Sequence, residues 1–199
     1  MAGRLKINQL DAFTAEYYAK TTEGLDRIPV NVFLCGPGTK QQSTKRQEGR
    51  LVDLRVFLKK RLEARLKLCD VKLGEHKSSI KAYSRAVGPR ATNLADHELA
   101  LAQRMMDLII IFPCSPGSFA ELGMFCLVDT IAAKMRVFVK EKYRRQRTFI
   151  MKGPVRAAEQ KDAKIFFVNY RQREGIWKIV HELVLEVKAK KRKRNLLSE

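Results

Sequence analysis

The chain has 199 residues, 45% of them hydrophobic and 31% charged, with 40 Lys plus Arg against 21 Asp plus Glu and a formal net charge of +19. That length supports one domain with short appendages and a single sizeable core, and the composition excludes a disordered tail. No run approaches the roughly 18 apolar residues of a membrane span, and residues 1–10 carry no apolar signal-peptide core, so a cytoplasmic location is expected.

In chain order, residues 6–20 have helical character. Pro29 to Cys35 reads as a short buried strand ending in the turn Gly36-Pro37-Gly38. A long helix is expected from Ser43 to about Leu68, because Leu51, Leu54, Phe57, Leu58, Leu62 and Leu66 recur at threes and fours; the Lys and Arg between them are expected to face outward. A short strand is expected near Cys69–Leu73, in a stretch further on punctuated by Gly74, Gly88 and Pro89. A helix capped at Asn93 follows, to Met106.

Asp107 to Phe112 is a continuous apolar run after its first residue, the pattern of a central parallel strand covered on both faces. A turn from Pro113 to Gly117 leads to a helix over 118–133. Arg136 to Val139 and Ile165 to Val168 read as strands, with a basic loop or helix over 143–156 between them. A last helix runs over 175–193. Strands alternating with helices predict a three-layer, Rossmann-like α/β domain with a mostly parallel sheet. The expected organisation is a helical extension over 1–27, the α/β domain over 28–187 and a basic tail over 188–199.

The charge is uneven. Residues 91–135 carry five acids against two bases, whereas every other segment beyond residue 39 is strongly basic. A polyanion-binding surface around a separate carboxylate-bearing site gives that pattern. Two clusters are candidate nucleic-acid contacts. One is Lys142, Arg144, Arg145 and Arg147 with Tyr143 among them; the other is Lys190, Lys191, Arg192, Lys193 and Arg194. Both also fit solvated surface, and cations suit a helix C-terminus. The four cysteines, Cys35, Cys69, Cys114 and Cys126, follow no metal-ligand spacing; buried reduced thiols, no metal and no cofactor are expected.

Ligands of open parallel sheets bind outside the carboxyl ends of the strands. Two strand ends are candidates: Cys35-Gly36-Pro37-Gly38 and the longer Cys114-Ser115-Pro116-Gly117-Ser118-Phe119-Ala120-Glu121-Leu122-Gly123. The first is neither a Walker A loop nor GxGxxG, and a plain turn accounts for it equally well. In the second, Gly117 and Ser118 are expected to open a helix whose free N–H groups favour an anion, with Glu121 one turn in. Ser118 to Glu121 also reads as a capping box, S-x-x-E. A carboxylate in a crevice can instead act as nucleophile, or stabilise an oxocarbenium ion, in cleavage of an N-glycosidic bond. Gly123 is expected to let the helix pack closely on the sheet.

The run from Asp107 through SPGSFAELG to Phe125 resembles the signature of retron-associated toxin effectors. These are related to nucleoside 2-deoxyribosyltransferases and more distantly to Toll/interleukin-receptor-like NAD-cleaving domains. The segments Val32 to Pro37 and Asn93 to Leu99 are also similar, so the resemblance spans about residues 28–170. It implies an N-glycosidase-like domain acting on a nucleoside or nucleotide, with Glu121 as nucleophile. Ser115, Pro116, Gly117 and Ser118 then line a ribose or phosphate pocket, with Cys35, Gly36, Pro37 and Gly38 on the opposite wall. It also implies a tripartite defence system, in which a retron reverse transcriptase and its branched RNA–DNA hybrid (msDNA) hold the toxin inactive until phage infection. The assembly state stays open, a higher-order assembly included. For the second acid that protonates the departing base, Asp96 and Glu98 are candidates, and both also fit as first-turn helix acids. Asp107 is expected to be structural and His97 a helix-surface residue. Nicotinamide, already cationic, leaves without a general acid, so NAD is a chemically reasonable substrate. A non-catalytic nucleotide sensor and a basic nucleic-acid-binding module on the same fold are the competing readings.

Overall fold

The computed structural model describes residues 24–38, 46–74 and 93–197. The helix expected over 6–20 and the Gly88-Pro89 break lie outside the described residues. Five parallel strands, β1 (Val30–Cys35), β2 (Cys69–Leu73), β3 (Leu108–Ile111), β4 (Met135–Lys140) and β5 (Lys164–Val168), form one sheet in the order β2-β1-β3-β4-β5. The α/β class expected from the alternation of elements is the observed one. This is the doubly wound order whose reversal falls between β1 and β3, and ligands of such sheets bind there.

Strand alternation sorts the core into two layers. Val30, Val32 and Leu34 of β1, with Leu108 and Ile110 of β3, pack against α1 (Arg46–Arg65) and the C-terminal helix α6 (Arg173–Leu196). Phe33 and Cys35, with Ile109 and Ile111, face α2 (Leu94–Arg104), α3 (Pro116–Phe125), α4 (Asp129–Ala132) and α5 (Arg156–Glu159). β1 and β3 are buried on both faces, as the apolar run of β3 requires.

Three local expectations change. The helix expected over 118–133 begins earlier, at Pro116, and breaks after Phe125; α4 starts anew at Asp129. The stretch over 143–156 holds a 3-10 turn (Glu141–Tyr143) and a π-helical turn, Met151–Val155, which contains Gly153 and Pro154 and runs into α5. Gly123 does not mediate close packing: nothing lies within 4 Å of where its Cβ would stand.

The basic C-terminal run is part of the fold. α6 continues without interruption through residue 188 to Leu196. Lys188 is buried, and its Nζ donates to the carbonyls of Lys67 at 2.6 Å and Leu25 at 3.2 Å, just ahead of β2 and β1. Burial pulls its pKa below the ordinary lysine value. Lys191 pairs with Asp107 at 2.9 Å, and Asp107 also accepts from the Asn31 amide, confirming its structural role. α6 thereby ties together the amino ends of three strands. Lys188→Ala is expected to cost about 2 kcal/mol in urea unfolding, because two buried carbonyls lose a charged donor. Lys193→Ala, at an exposed position, is expected to stay within about 0.5 kcal/mol.

Candidate active site

A capping box is there, but three residues earlier than expected, with Ser118 closing it and not opening it. Ser115 is the N-cap of α3 and Pro116 takes the first helical position, where its fixed φ suits the helix and its missing N–H costs nothing. Ser115 Oγ accepts from the Ser118 amide at 3.3 Å. Ser118 Oγ accepts from the amides of Ser115 (2.9 Å) and Cys114 (3.0 Å) and donates to Ser115 O at 3.0 Å. Ser118 is fully buried and its hydroxyl is spent on the cap, so in this arrangement it does not line a pocket. Pro116 and Gly117 are exposed at the helix tip. Glu121 is not a capping residue; it sits on the second turn of α3, and its Oε2 is buried.

Glu121 has company. A methyl group added to Gly74, just past β2, would lie 3.1 Å from Glu98 Oε1 and 3.6 Å from Glu121 Oε1. The two oxygens are therefore at most about 7 Å apart, a bound that admits the roughly 5 Å separation of the carboxyls in a retaining glycosidase. Both α2 and α3 start at the carboxyl side of the sheet, and both acids sit on second-turn positions facing the end of β1. Of the two candidates for a second acid, Glu98 is thus the one beside Glu121. Asp96 instead closes the α2 cap: its amide donates to Asn93 Oδ1 at 3.0 Å and its Oδ2 accepts from Asn93 Nδ2 at 2.9 Å. His97, expected at the surface, is half-buried with its Nδ1 enclosed.

Beneath the pair lies Cys35, the last residue of β1. Its thiol donates a hydrogen bond to Glu121, and its pKa is raised well above the ordinary thiol value, first by burial and then by the charges of Glu121 and Glu98. It is a neutral donor that helps orient the carboxylate. No disulfide joins the four cysteines; Cys35, Cys69 and Cys126 are buried as expected, whereas Cys114 is half-buried.

The turn from Gly36 to Gly38, expected to wall the pocket, is braced by a buried cation. Arg55 of α1 turns inward, contrary to the outward placement expected of that helix's basic residues, and is 1% exposed. Its guanidinium donates to Leu34 O at 2.8 Å and to Pro37 O. Gly36 is small because Arg55 fills its Cβ side: an added Cβ would stand 2.6 Å from Arg55 Cδ. Gly38 has open space instead. Arg55 also brings a positive charge to the Cys35–Glu121 cluster. A residue of this kind carries no periodicity signal; one buried cation within an amphipathic stripe looks like any solvated neighbour.

Glycine at 74 leaves room for the two carboxylates to approach the end of β1. Gly74→Val is expected to displace Glu98 with a thermal midpoint within about 3 °C of the native protein, which a melting curve checks.

The two basic clusters part company. Lys142, Arg144, Arg145 and Arg147 lie beyond the carboxyl end of β4, on the same side of the sheet as Glu121. Arg144 holds Glu141 through two hydrogen bonds, 2.6 and 3.0 Å, and lies over the Phe167 ring; Lys142 lies over Tyr143; Arg145 and Arg147 are exposed. The run from Lys190 to Arg194 lies at the opposite, amino end. There Lys190 pairs with Glu186 at 2.8 Å, Lys191 with Asp107, and Arg192 lies beside Gly24; all of the run but Lys191 is exposed. One continuous surface joining that run to the Glu121 site is therefore not what the fold provides. Among the described residues, no cluster of His, Cys, Asp and Glu fits a metal ion, and no helix is long and apolar enough to cross a membrane.

Residues 52–198 match the model of a family described as STM3845 retron effector protein. Two curated relatives from Escherichia coli are similar. The "Retron Ec86 putative ribosyltransferase/DNA-binding protein" is 29% identical over 137 residues, covering 69% of this chain and 40% of its own length. The "Retron Ec73 putative ribosyltransferase/DNA-binding protein" is 34% identical over 85 residues, covering 42% of this chain and 27% of its own. The aligned segments thus span less than half of either relative.

Proposed function

The chain belongs to the STM3845 retron effector family, and we propose that it acts as the toxin of such a system by cleaving the N-glycosidic bond of a nucleotide, with Glu121 as nucleophile and Glu98 as the acid. The observation that carries this reading is the convergence of the two carboxylates on Gly74 at the carboxyl end of the sheet. This chemistry requires one of the two carboxyls to hold a proton while the other is ionised. One carboxyl is then an acid while the other is a nucleophile.

In the first step the Glu121 carboxylate attacks the anomeric carbon, forming a C–O bond as the C–N bond breaks. The bonding pair departs with the base nitrogen, and the Glu98 proton neutralises it when the base is not already cationic. Water or another acceptor then displaces Glu121 from the glycosyl ester; the acceptor's proton passes to Glu98 where Glu98 gave one up in the first step, and to solvent where a cationic base left without one. Cys35 donates to the Glu121 carboxylate and fixes its direction. Arg55 holds the β1 exit on which Cys35 is carried. The ribosyltransferase named in both relatives is a reaction of this class.

NAD and nucleosides or nucleotides are the substrate classes, and the retron reverse transcriptase with its RNA–DNA hybrid are the partners that restrain the toxin. The exposed cations Arg145 and Arg147, on the same side of the sheet as the carboxylates, suit contact with that hybrid. The test is incubation of the purified protein with a panel of NAD, nucleotides and nucleosides, followed by chromatography for free base. Release of one base, or of nicotinamide, supports the reading; binding without release marks a nucleotide sensor instead.

A further inference from the structure

β5 is an open edge of the sheet: among the described residues it pairs with β4 alone. A groove follows that edge in three parts. The first, a cavity of about 450 Å³, lies between β5 and the turn Met151–Val155 with α5; Met151, Val155, Ile165 and Phe167 give it apolar surface, and Arg144, Lys152 and Arg156 line it too. The second, of about 310 Å³, shares Phe167 with the first and reaches Ile176 and Ile179 of α6. The third, of about 370 Å³, shares Glu141, Val168 and Asn169 with the second and adds Lys140, Lys142 and Arg171. An edge strand has no neighbour to separate the two faces of a sheet, so the groove passes from one face to the other around β5. None of its lining residues belongs to the Glu121 cluster.

The charge is of one sign along most of this path. Six cations line it against two acids, Glu141 and Glu159, and Glu141 is already held by Arg144. The Arg144 guanidinium lies 4.5 Å from the centre of the Phe167 ring, a cation set on the aromatic part of the floor. Phe149 adds a ring in the open. It is 83% exposed and rests on Gly153, 3.6 Å from where a Cβ there would stand, in the turn that also carries Lys152. One exposed phenylalanine is ordinary on a protein surface. This one stands in residues 140–156, which hold seven bases and one acid.

Repeated cations beside aromatic surface suit a flexible polyanion whose units are flat and stack. A small anion fills one cavity and leaves the others unexplained. A duplex offers phosphates but keeps its bases inside. An acidic peptide adding a strand to β5 answers the cations but not the exposed ring.

We propose that the groove around the β5 edge binds single-stranded nucleic acid, with phosphates on Lys142, Arg171, Lys152 and Arg156 and a base stacked on Phe149. This names the form of the nucleic-acid partner and rests on the reading that the chain has one; it is independent of the Glu121 chemistry. The test is fluorescence anisotropy on the full chain with four labelled probes: a single strand of about 12 nucleotides as DNA, the same strand as RNA, the DNA duplex, and a poly-glutamate peptide. The variants are Phe149→Ala, Lys152→Ala/Arg156→Ala, Lys142→Ala/Arg171→Ala and a charge-matched control on α1, Lys60→Ala/Arg65→Ala. All seven positions are exposed, so the fold should tolerate each change.

Both single strands are expected to bind about tenfold or more tighter than the duplex. Phe149→Ala should weaken them about fivefold or more, as loss of one stacked base implies, and leave the salt dependence unchanged. Each groove pair should weaken them and make the slope of log affinity against log salt shallower by about 1.4, the loss of two phosphate contacts. The control pair should change affinity less than about twofold. The same slope change in all three double variants, or equal affinity for the duplex, overturns the groove by reducing it to diffuse charge. Strand binding that no groove variant weakens overturns the groove and leaves the nucleic-acid partner standing; absence of all nucleic-acid binding overturns both. Poly-glutamate that displaces the strand and is itself lost in the groove variants overturns the proposal and assigns the edge to an acidic peptide.

Discussion

Glu121→Gln is expected to lower base release by about three orders of magnitude or more, while the thermal midpoint moves by no more than about 2 °C. The two halves of that expectation have separate causes. Glutamine keeps the shape and can still accept the Cys35 thiol hydrogen, but its neutral amide is a poor nucleophile. The helix start does not depend on position 121 either, because Ser115 and Ser118 complete the cap between themselves. An S-x-x-E box formed by Ser118 and Glu121 would instead make Glu121→Ala costly to the fold, since glutamine can still close such a box. Turnover measured beside a melting curve, for both variants, distinguishes the two. Equal loss of fold and activity would return Glu121 to a structural role.

Arg55→Met carries the largest expected stability effect, about 3 kcal/mol in urea unfolding. Methionine occupies similar space but donates nothing to Leu34 O or Pro37 O, which then stay buried without the charged donor they have in the native protein. The β1 exit should loosen, carrying Cys35 with it, so activity falls as well. Gly36→Ala probes the same contact from the other side. Its methyl would meet Arg55 Cδ, in the middle of a buried side chain, and has no flexible tip to push aside. A loss under about 1 kcal/mol for Arg55→Met would show that water or neighbouring groups satisfy those carbonyls.

Much of the architecture was legible because hydrophobic pattern dictates it. β3 is an uninterrupted apolar run, and Asn93 precedes a helical period and does cap α2. Patterning gave less where a polar residue does structural work. Lys188 sits in a run of cations that reads as solvated, yet it reaches buried carbonyls at the sheet's amino end. Arg55 shares a helix with outward-facing bases and differs from them in direction alone. The start of α3 was misplaced because S-x-x-E at Ser118 matched a familiar box. The better signal was Ser115 followed by Pro116, an N-cap residue before a first-position proline.

The candidate site was half legible. The strand-end segment and Glu121 stand out in the sequence. The partner carboxylate does not, because Asp96 and Glu98 are equally plausible two residues apart. They point about 200° apart around a helix, and only the packing of α2 says which one faces β1. Gly74 likewise has no motif around it. Its role follows from what its missing side chain would strike.

The most direct test of the account is to stop turnover in acid, with whichever nucleotide of the panel loses its base, and map the protein by peptide mass spectrometry. The account predicts a glycosyl ester on the peptide bearing Glu121, absent from Glu121→Gln. Release of base with no adduct at Glu121, or with the adduct on another residue, would contradict it.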